Sequence, residues 1–93
     1  MSPISSAEIT ETVESGIQGF LETRIKASIP ADQDLFASGL VSSIFAMELV
    51  VHLEQAYSIA IVGPDLKLDN FRTVQTMTAL VGRLQDADAE SGD

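Results

Sequence analysis

Few side chains in this 93-residue sequence could carry out chemistry. There is one histidine, His52, and no cysteine, which excludes disulfides, cysteine nucleophiles, thiolate metal sites and histidine-rich metal sites. Ser43 and His52, with any aspartate, could be imagined as a hydrolytic triad. They lie nine positions apart on one predicted helix, which separates them by about 13 Å along its axis. Because they cannot share a proton at that distance, the sequence argues against a serine hydrolase.

Ser43 is predicted at the N-terminus of a helix, after a long loop and beside an apolar stripe. A helix N-terminus offers free backbone N–H groups and the positive end of the helix dipole, so a phosphodiester attached there would be favourably placed. The alternative is that Ser42 or Ser43 serves only as an N-cap, as serines at helix starts usually do. No glycine-rich phosphate loop, metal-binding motif or catalytic pair of carboxylates is recognisable.

Composition limits the class of protein. The length fits one domain, and an apolar fraction of 45% is typical of a folded one. The formal charge of −9 disfavours nucleic acids and suits partners with basic patches, although on charge alone solubility is the simpler interpretation. No apolar run approaches the ~20 residues of a membrane span, and Met1–Ser6 lacks signal-peptide features. We therefore expect a monomeric, cytoplasmic protein that binds neither nucleic acid nor membrane.

The hydrophobic pattern predicts an all-α fold of three main helices and one short helix. The first helix is predicted from Ala7 to Lys26, and Ser5 with Glu8 matches a capping box at its start. Gly16 and Gly19 weaken this helix at its middle. They indicate either close packing against another helix or a cost that the fold tolerates.

A long connection is predicted from Ala27 to Ser42, because Pro30 stops the first helix. It contains four apolar residues that a fully solvated loop would not need, namely Leu35, Phe36, Leu40 and Val41. We expect these side chains to pack beneath the helices and to hold the loop in place. The second helix is then predicted to start at Ser42 or Ser43 and to end near Tyr57.

The second helix is apolar on two sides. At 100° per residue, one side forms a core face, which consists of Ala46, Leu49, Val50, Leu53 and Tyr57. Ile44, Met47 and Val51 lie on or beside the opposite side, together with Glu48. A helix is rarely buried all round in so small a domain, so these apolar residues are expected to be exposed or to cover a cavity, as at a binding surface. Burial beneath another segment is an equally weighted alternative.

The chain after the second helix is predicted to be mainly irregular. Ile59–Val62 could be a short strand, but no second strand is available to pair with it, so an extended connection is favoured. One short helical turn is predicted within Asp65–Asn70. Phe71 is then expected to return to the core.

The last helix is predicted to be capped by Thr73 and to run to about Leu84. Its inward residues are expected to be Val74, Met77, Val81 and Leu84. The following residues, 85–93, are acidic and small, and are expected to be disordered. The predicted domain therefore covers residues 1–84 and is followed by an acidic tail.

The stretch from Asp34 to Val50, DLFASGLVSSIFAMELV, resembles the signature of the acyl and peptidyl carrier protein family. That signature is Leu-Phe, a short gap, Gly-Leu, Asp-Ser-Leu, and then a helix containing Glu-Leu. Alignment of Glu48-Leu49 with the family's Glu-Leu places the modified serine at Ser43, and residues 70–75 are similar to the entry into the family's last helix. The resemblance implies a four-helix carrier bundle with a covalent phosphopantetheine arm, derived from coenzyme A, on Ser43.

Two positions depart from the family pattern. Ser42 stands where the family usually has an aspartate that helps the transferase to install the arm, and this weakens the expectation of efficient modification. Phe45 stands where an acidic or polar residue is common. The run from Ser42 to Met47 is similar to discrete carriers of glyceryl or methoxymalonyl-type three-carbon units in polyketide pathways.

The resemblance implies a carrier that presents a thioester to successive enzymes and is not itself an enzyme. Its partners would be a phosphopantetheinyl transferase and the acyl-loading and biosynthetic enzymes of a polyketide or related pathway. Glu48 and Glu54 would meet basic docking patches on these enzymes. Ile44, Met47 and Val51 would supply the apolar part of a weak, transient interface. The alternatives are a free-standing peptidyl or aminoacyl carrier of a non-ribosomal peptide system, and an unmodified helical interaction module.

Overall fold

The computed structural model describes the backbone of residues 6–91 and the side chains of residues 12–86. In order along the chain, its elements are α1 (Ser6–Ile25), α2 (Ser43–Tyr57), a 3-10 helix (Gly63–Asp65), a second 3-10 helix (Leu68–Phe71) and α3 (Val74–Ser91). The predicted all-α class is confirmed. The single short helix expected within Asp65–Asn70 is instead a pair of 3-10 turns on either side of Leu66 and Lys67. The predicted capping box depends on the side chains of Ser5 and Glu8, which lie outside the described residues.

The end of α1 comes earlier than predicted, and Pro30 is not its cause. Lys26, the residue after the helix, has a left-handed φ of 64°, and its N–H donates to the carbonyl of Glu22 at 2.7 Å. The Glu22 carboxylate accepts a hydrogen bond from the N–H of Ile29 at 2.9 Å. A left-handed cap and a side-chain clamp therefore turn the chain before the proline is reached.

Gly16 lies where α1 and α2 approach each other closely, whereas Gly19 faces open space. A Cβ on Gly16 would lie 2.7 Å from the hydroxyl oxygen of Tyr57, while a Cβ on Gly19 would meet nothing within 4 Å. The Tyr57 hydroxyl donates to the carbonyl of Val13 at 3.4 Å. The two explanations offered by the sequence thus apply to one glycine each.

Gly19→Ala is expected to raise the free energy of unfolding by about 0.5–1 kcal/mol, because alanine restricts the unfolded chain and favours the helix. Gly16→Ala should stabilise less or destabilise, because its methyl group must displace the Tyr57 hydroxyl. Urea denaturation of both single variants beside the wild type measures the difference. Equal stabilisation by the two substitutions would contradict the close approach at Gly16.

One hydrophobic core joins the three α-helices to the connections between them. Its buried apolar residues are Val13, Ile17, Leu21, Ile29, Leu35, Val41, Ala46, Leu49, Leu53, Ile59, Ile61, Phe71, Val74, Met77, Leu80 and Val81. Leu35 and Val41 confirm that the long connection packs inward, and Phe36 and Leu40 are partly buried beside them. Leu84, which was predicted to point inward, is only partly buried.

The long connection between α1 and α2 is fastened to the chain just before and within α3. The N–H of Leu35 donates to the carbonyl of Arg72 at 2.7 Å, and the N–H of Gln75 donates to the carbonyl of Ala31 at 3.0 Å. These bonds satisfy backbone groups that a buried loop would otherwise leave unpaired. They also fix the direction in which the chain enters α2.

Asp34 reinforces this attachment through its side chain. Its Oδ1 accepts hydrogen bonds from the N–H groups of Phe36 and Ala37, at 3.1 and 2.9 Å. Its Oδ2 lies 3.3 Å from Arg72 Nη1. The hydrogen bond from the Ala37 amide lowers the pKa of Asp34 most; burial opposes it, and the charge of Arg72 and the Phe36 amide lower the pKa further. The carboxylate is therefore held in its charged form where the turn needs an acceptor.

The predicted end of the last helix at Leu84 is wrong, because α3 continues to Ser91. The residues between them include no glycine or proline, and alanine, glutamine and glutamate favour a helix. The expected disorder from position 85 therefore does not describe the backbone as far as Ser91. The start of the helix is as predicted, since Thr73 Oγ1 accepts a hydrogen bond from the N–H of Thr76 at 2.9 Å. A domain boundary at residue 84 stays a prediction.

Candidate functional site

Ser42 and Ser43 have different roles at the start of α2. Ser42 is the N-cap, with an extended backbone, and its Oγ accepts a hydrogen bond from the N–H of Phe45 at 3.1 Å. Ser43 is the first residue of the helix and is exposed. Its hydroxyl makes no hydrogen bond to any residue that the structure describes. The capping role therefore belongs to Ser42, and the hydroxyl of Ser43 is accessible to a reagent from solution.

The backbone at this helix start favours a negatively charged group. The N–H groups of Phe45 and Ala46 donate to the side chain and the carbonyl of Ser42, at 3.1 and 2.9 Å. Those of Ser43 and Ile44 donate to no acceptor within the described part of the chain. The first turn of α2 contains no acidic residue. A phosphodiester on Ser43 would thus lie beside two open donors and the positive end of the helix dipole, so the residues present fit a phosphopantetheine arm.

An apolar cavity of about 250 Å³ begins at Ser43 and separates α2 from the segment that contains the second 3-10 helix. Its lining consists of Ser43, Ala46, Met47, Val50, Leu66, Lys67, Leu68 and Phe71. Only two of these side chains are polar, and they are Ser43 and Lys67. The cavity can therefore receive an apolar group that is tethered at its edge.

The three apolar residues predicted on the outer side of α2 are exposed. The exposed fractions are 80% for Ile44, 61% for Met47 and 50% for Val51. No described residue covers them, so burial beneath another segment is not found within the described part of the chain. Exposed apolar side chains that adjoin one another on a helix are typical of a contact surface.

Sequence reasoning missed a second apolar group near Ser43. Leu66 and Leu68 are about half exposed and line the opposite wall of the cavity, and Val62 is more exposed still. The signal was present in the sequence, because these apolar residues lie in a segment of glycine, proline, aspartate and lysine. No helix face in that segment requires them. Apolar surface therefore borders Ser43 on two sides.

The two glutamates expected to meet basic partners are both engaged within the chain. Glu48 is about half exposed, and its Oε1 and Oε2 lie 3.2 and 3.3 Å from Arg24 Nη2. Glu54 is partly buried, and its Oε2 accepts a hydrogen bond from the N–H of Ile61 at 2.9 Å. Glu54 therefore holds the connection after α2 in place, while Glu48 lies with Val51 at the edge of an open hollow of about 360 Å³.

His52 lies in an aromatic cluster and not near Ser43. Its ring stacks on Phe20, with centroids 3.8 Å apart and an interplanar angle of 9°. The guanidinium of Arg24 lies 5.6 Å from the centroid of Phe20 and 5.1 Å from that of Phe45. Phe45, one of the departures from the family pattern, thus has a packing role between α1 and α2.

Burial, followed by the positive charge of Arg24, lowers the pKa of His52 below its ordinary value of 6.5. The unfolded chain then takes up this proton at a higher pH than the folded protein. The free energy of unfolding that depends on neutral His52 is therefore fully present above pH 6.5, and it is lost as the pH falls toward the lowered pKa of the folded protein.

We therefore expect the melting temperature to fall from about pH 7.5 to about pH 5.5, and to fall less in His52→Gln. Because the chain has one histidine, an NMR titration of the ring follows this group without ambiguity. A titration midpoint above the ordinary value, or equal slopes of melting temperature in the two proteins, would contradict the prediction.

Comparison with known families identifies the chain. A family model described as a phosphopantetheine attachment site matches residues 11–81, a range that includes α2, Ser43 and the cavity beside it. Comparisons with curated proteins and with solved structures gave no match. Domains of this family hold a substrate on a covalent phosphopantetheine group and do not catalyse a reaction themselves. The family predicted from the sequence is thus confirmed, and the chain belongs to the phosphopantetheine-attachment family of carrier domains.

Proposed function

We propose that this protein is an acyl carrier that holds an acyl group as a thioester on a phosphopantetheine arm at Ser43, for polyketide or related biosynthesis. One observation supports the choice of residue above the others. Ser43 lies at the start of α2, at the position that aligns with the family's modified serine, and its hydroxyl is exposed and makes no hydrogen bond to a described residue. Its neighbour Ser42 instead serves as the N-cap. The site can therefore be modified without disturbing the cap that holds the helix start.

The attachment is a transfer of a phosphoryl-linked group from coenzyme A to the serine. Ser43 Oγ forms a bond to phosphorus and loses its proton, while the pyrophosphate bond breaks and adenosine 3′,5′-bisphosphate leaves. The transferase supplies the catalysis, and the chain supplies an accessible hydroxyl and two open N–H donors. The attached arm supplies a terminal thiol for the thioester. The apolar wall of the cavity favours a position of the cargo close to α2.

Carrier domains of this family are modified by a phosphopantetheinyl transferase and interact with biosynthetic enzymes. We propose that these partners contact Ile44, Met47 and Val51 and bring basic side chains to Glu48. The ion pair between Arg24 and Glu48 is about half exposed. Such pairs contribute roughly 0–1 kcal/mol, so a partner's basic residue can replace Arg24 at little cost. Glu54 is less available for contact with a partner's basic residue, because its carboxylate already accepts a hydrogen bond from the N–H of Ile61.

The acyl cargo is favoured over an aminoacyl or peptidyl one by the run from Ser42 to Met47, which is similar to discrete carriers of glyceryl or methoxymalonyl-type units. The cavity adds support, because its lining is apolar apart from Ser43 and Lys67.

No helix among residues 6–91 is long and apolar enough to cross a membrane. A cytoplasmic monomer is part of the proposal.

Incubation of the apo protein with coenzyme A and a phosphopantetheinyl transferase tests the proposal. Intact mass spectrometry should show the addition of one phosphopantetheine group, and peptide mapping should place it on Ser43. The modified protein should then accept an acyl group from a loading enzyme, whereas the apo protein should not. Absence of modification by transferases that fully convert a known carrier would overturn the proposal and favour an unmodified interaction module.

A further inference from the structure

Lys67 lies at the edge of the Ser43 cavity and forms no ion pair with a described carboxylate. The three arginines whose side chains are described all pair with carboxylates: Arg24 with Glu48, Arg72 with Asp34 and Asp69, and Arg83 with Asp65. Lys67 makes no ion pair or side-chain hydrogen bond with the described residues, although it lines the same cavity as Ser43. Lys26 likewise forms no ion pair with the described residues, but of the two lysines only Lys67 lines the cavity beside Ser43.

The carboxylates nearest to Lys67 along the chain, Asp65 and Asp69, are already paired with arginines. Asp65 lies 2.8 Å from Arg83 Nη1, and Asp69 lies 2.7 Å from Arg72 Nε. The hydrogen bond and charge of Arg72 lower the pKa of Asp69 most, and Lys67 adds a weaker effect in the same direction. The two arginines thus occupy the acids on either side, and the ammonium group of Lys67 is left available to another anion.

The backbone of Lys67 is held in place while its side chain is exposed. Its N–H donates to the carbonyl of Asp65 at 3.0 Å, and its carbonyl accepts from the N–H of Asn70 at 3.1 Å. It precedes the second 3-10 helix, which is anchored by the buried side chain of Phe71. A fixed backbone with a long mobile side chain suits a residue that must reach an anion across a short gap.

We propose that Lys67 is a positioning residue for the arm: its ammonium group pairs with the phosphodiester on Ser43 and holds the first part of the arm across the mouth of the cavity. The inference rests on the proposed modification of Ser43. The phosphodiester carries one negative charge that is fixed at the cavity's edge, and a lysine pairs with it as a point charge. Met47, Leu66 and Leu68 line the same cavity, so an arm held there would lie beside apolar side chains.

The test uses the modified protein, with complete modification of Ser43 checked by intact mass. Phosphorus-31 NMR is compared in the wild type, Lys67→Met, Lys67→Arg and Lys26→Met. Lys26 is the matched control, because it is also exposed but does not line the cavity. We expect Lys67→Met to shift the phosphodiester resonance and increase the mobility of the arm, Lys67→Arg to restore both, and Lys26→Met to change neither. Salt at about 1 M should move the wild type toward Lys67→Met, because the screening length falls to about 3 Å.

A second measurement needs no variant. The sequence has two lysines, at positions 26 and 67, so carbon-13 labelling of lysine gives two sets of side-chain signals. Modification of Ser43 should move the signals of Lys67 and leave those of Lys26 unchanged. Unchanged Lys67 signals, or equal effects of Lys67→Met and Lys26→Met, would overturn the inference. A wild-type protein that is never modified would instead overturn the proposed function, so the two failures are distinguishable.

Discussion

Ser43→Ala is expected to abolish attachment of phosphopantetheine completely while leaving the melting temperature within about 1–2 °C of the wild type. The loss follows because the substitution removes the hydroxyl to which we propose that the arm is attached. The fold should persist because the Ser43 side chain is exposed and its hydroxyl makes no hydrogen bond to a described residue, and Ser42 still caps α2. Surface substitutions of this kind usually change stability by no more than about 0.5 kcal/mol. Intact mass after treatment with transferase, together with a thermal melt, measures both effects.

Ser42→Ala is the matched control and should behave in the opposite way. It removes the acceptor for the N–H of Phe45, which should lower the free energy of unfolding by about 0.5–2 kcal/mol. Modification should continue. Loss of modification in Ser42→Ala together with its survival in Ser43→Ala would mean that the register is wrong by one residue. Ser42→Asp should keep the cap, and the resemblance implies that it speeds modification.

Val51→Asp and Leu53→Asp are expected to separate partner contact from folding at two positions of α2. Val51 is half exposed and Leu53 is fully buried. Val51→Asp should keep the fold and reduce acyl transfer to partner enzymes by tenfold or more, because a charge without a partner is costly at an apolar contact (about 1.4 kcal/mol per tenfold). Leu53→Asp should unfold the domain, since total stabilities are only about 5–15 kcal/mol.

The measurements are a thermal melt of each variant and a transfer assay on those that remain folded. Val51→Ala serves as a control that shortens the side chain without adding charge, and it should affect transfer less than Val51→Asp. A large fall in the melting temperature of Val51→Asp would overturn the assignment of this face to docking, whatever happened to transfer. Normal transfer by a folded Val51→Asp would do so as well.

The sequence predicted the parts of the fold that depend on local pattern. The bounds of α2 and the cap at Thr73 follow from hydrophobic spacing and from residue types that satisfy free backbone groups. The end of α1 was predicted to within one residue, but its cause was not, because it depends on a left-handed Lys26 and on a hydrogen bond to Glu22 from Ile29, which lies beyond the helix. The end of α3 lies beyond the predicted Leu84, because the alanine, glutamine and glutamate residues after Leu84 favour a helix despite the acidic composition of this stretch.

The sequence predicts which serine is the candidate but not the surroundings of that serine. A motif in one stretch of chain assigns the arm to Ser43, which stays a prediction, and the helix wheel places Met47 and its neighbours on the outer face. The cavity depends on the approach of Leu66, Lys67 and Leu68 to α2. That approach is fixed by the burial of Phe71 in the core and by the ion pair between Asp65 and Arg83, which no periodicity reveals. The engagement of Glu54 with the N–H of Ile61 is likewise a tertiary contact, and a helix wheel shows only the side on which a residue lies.

The attachment of the long connection has a consequence for the synthesis of this protein on the ribosome. The chain that leads to Ser43 is secured by the carbonyl of Arg72 and by the N–H of Gln75, and both are made well after the serine itself. When Ser43 has just emerged from the exit tunnel, the hydrogen bonds that hold the long connection before α2 therefore cannot yet have formed. We expect that an enzyme that recognises the folded helix start acts only after Gln75 has emerged, so that arm attachment follows translation of most of the chain.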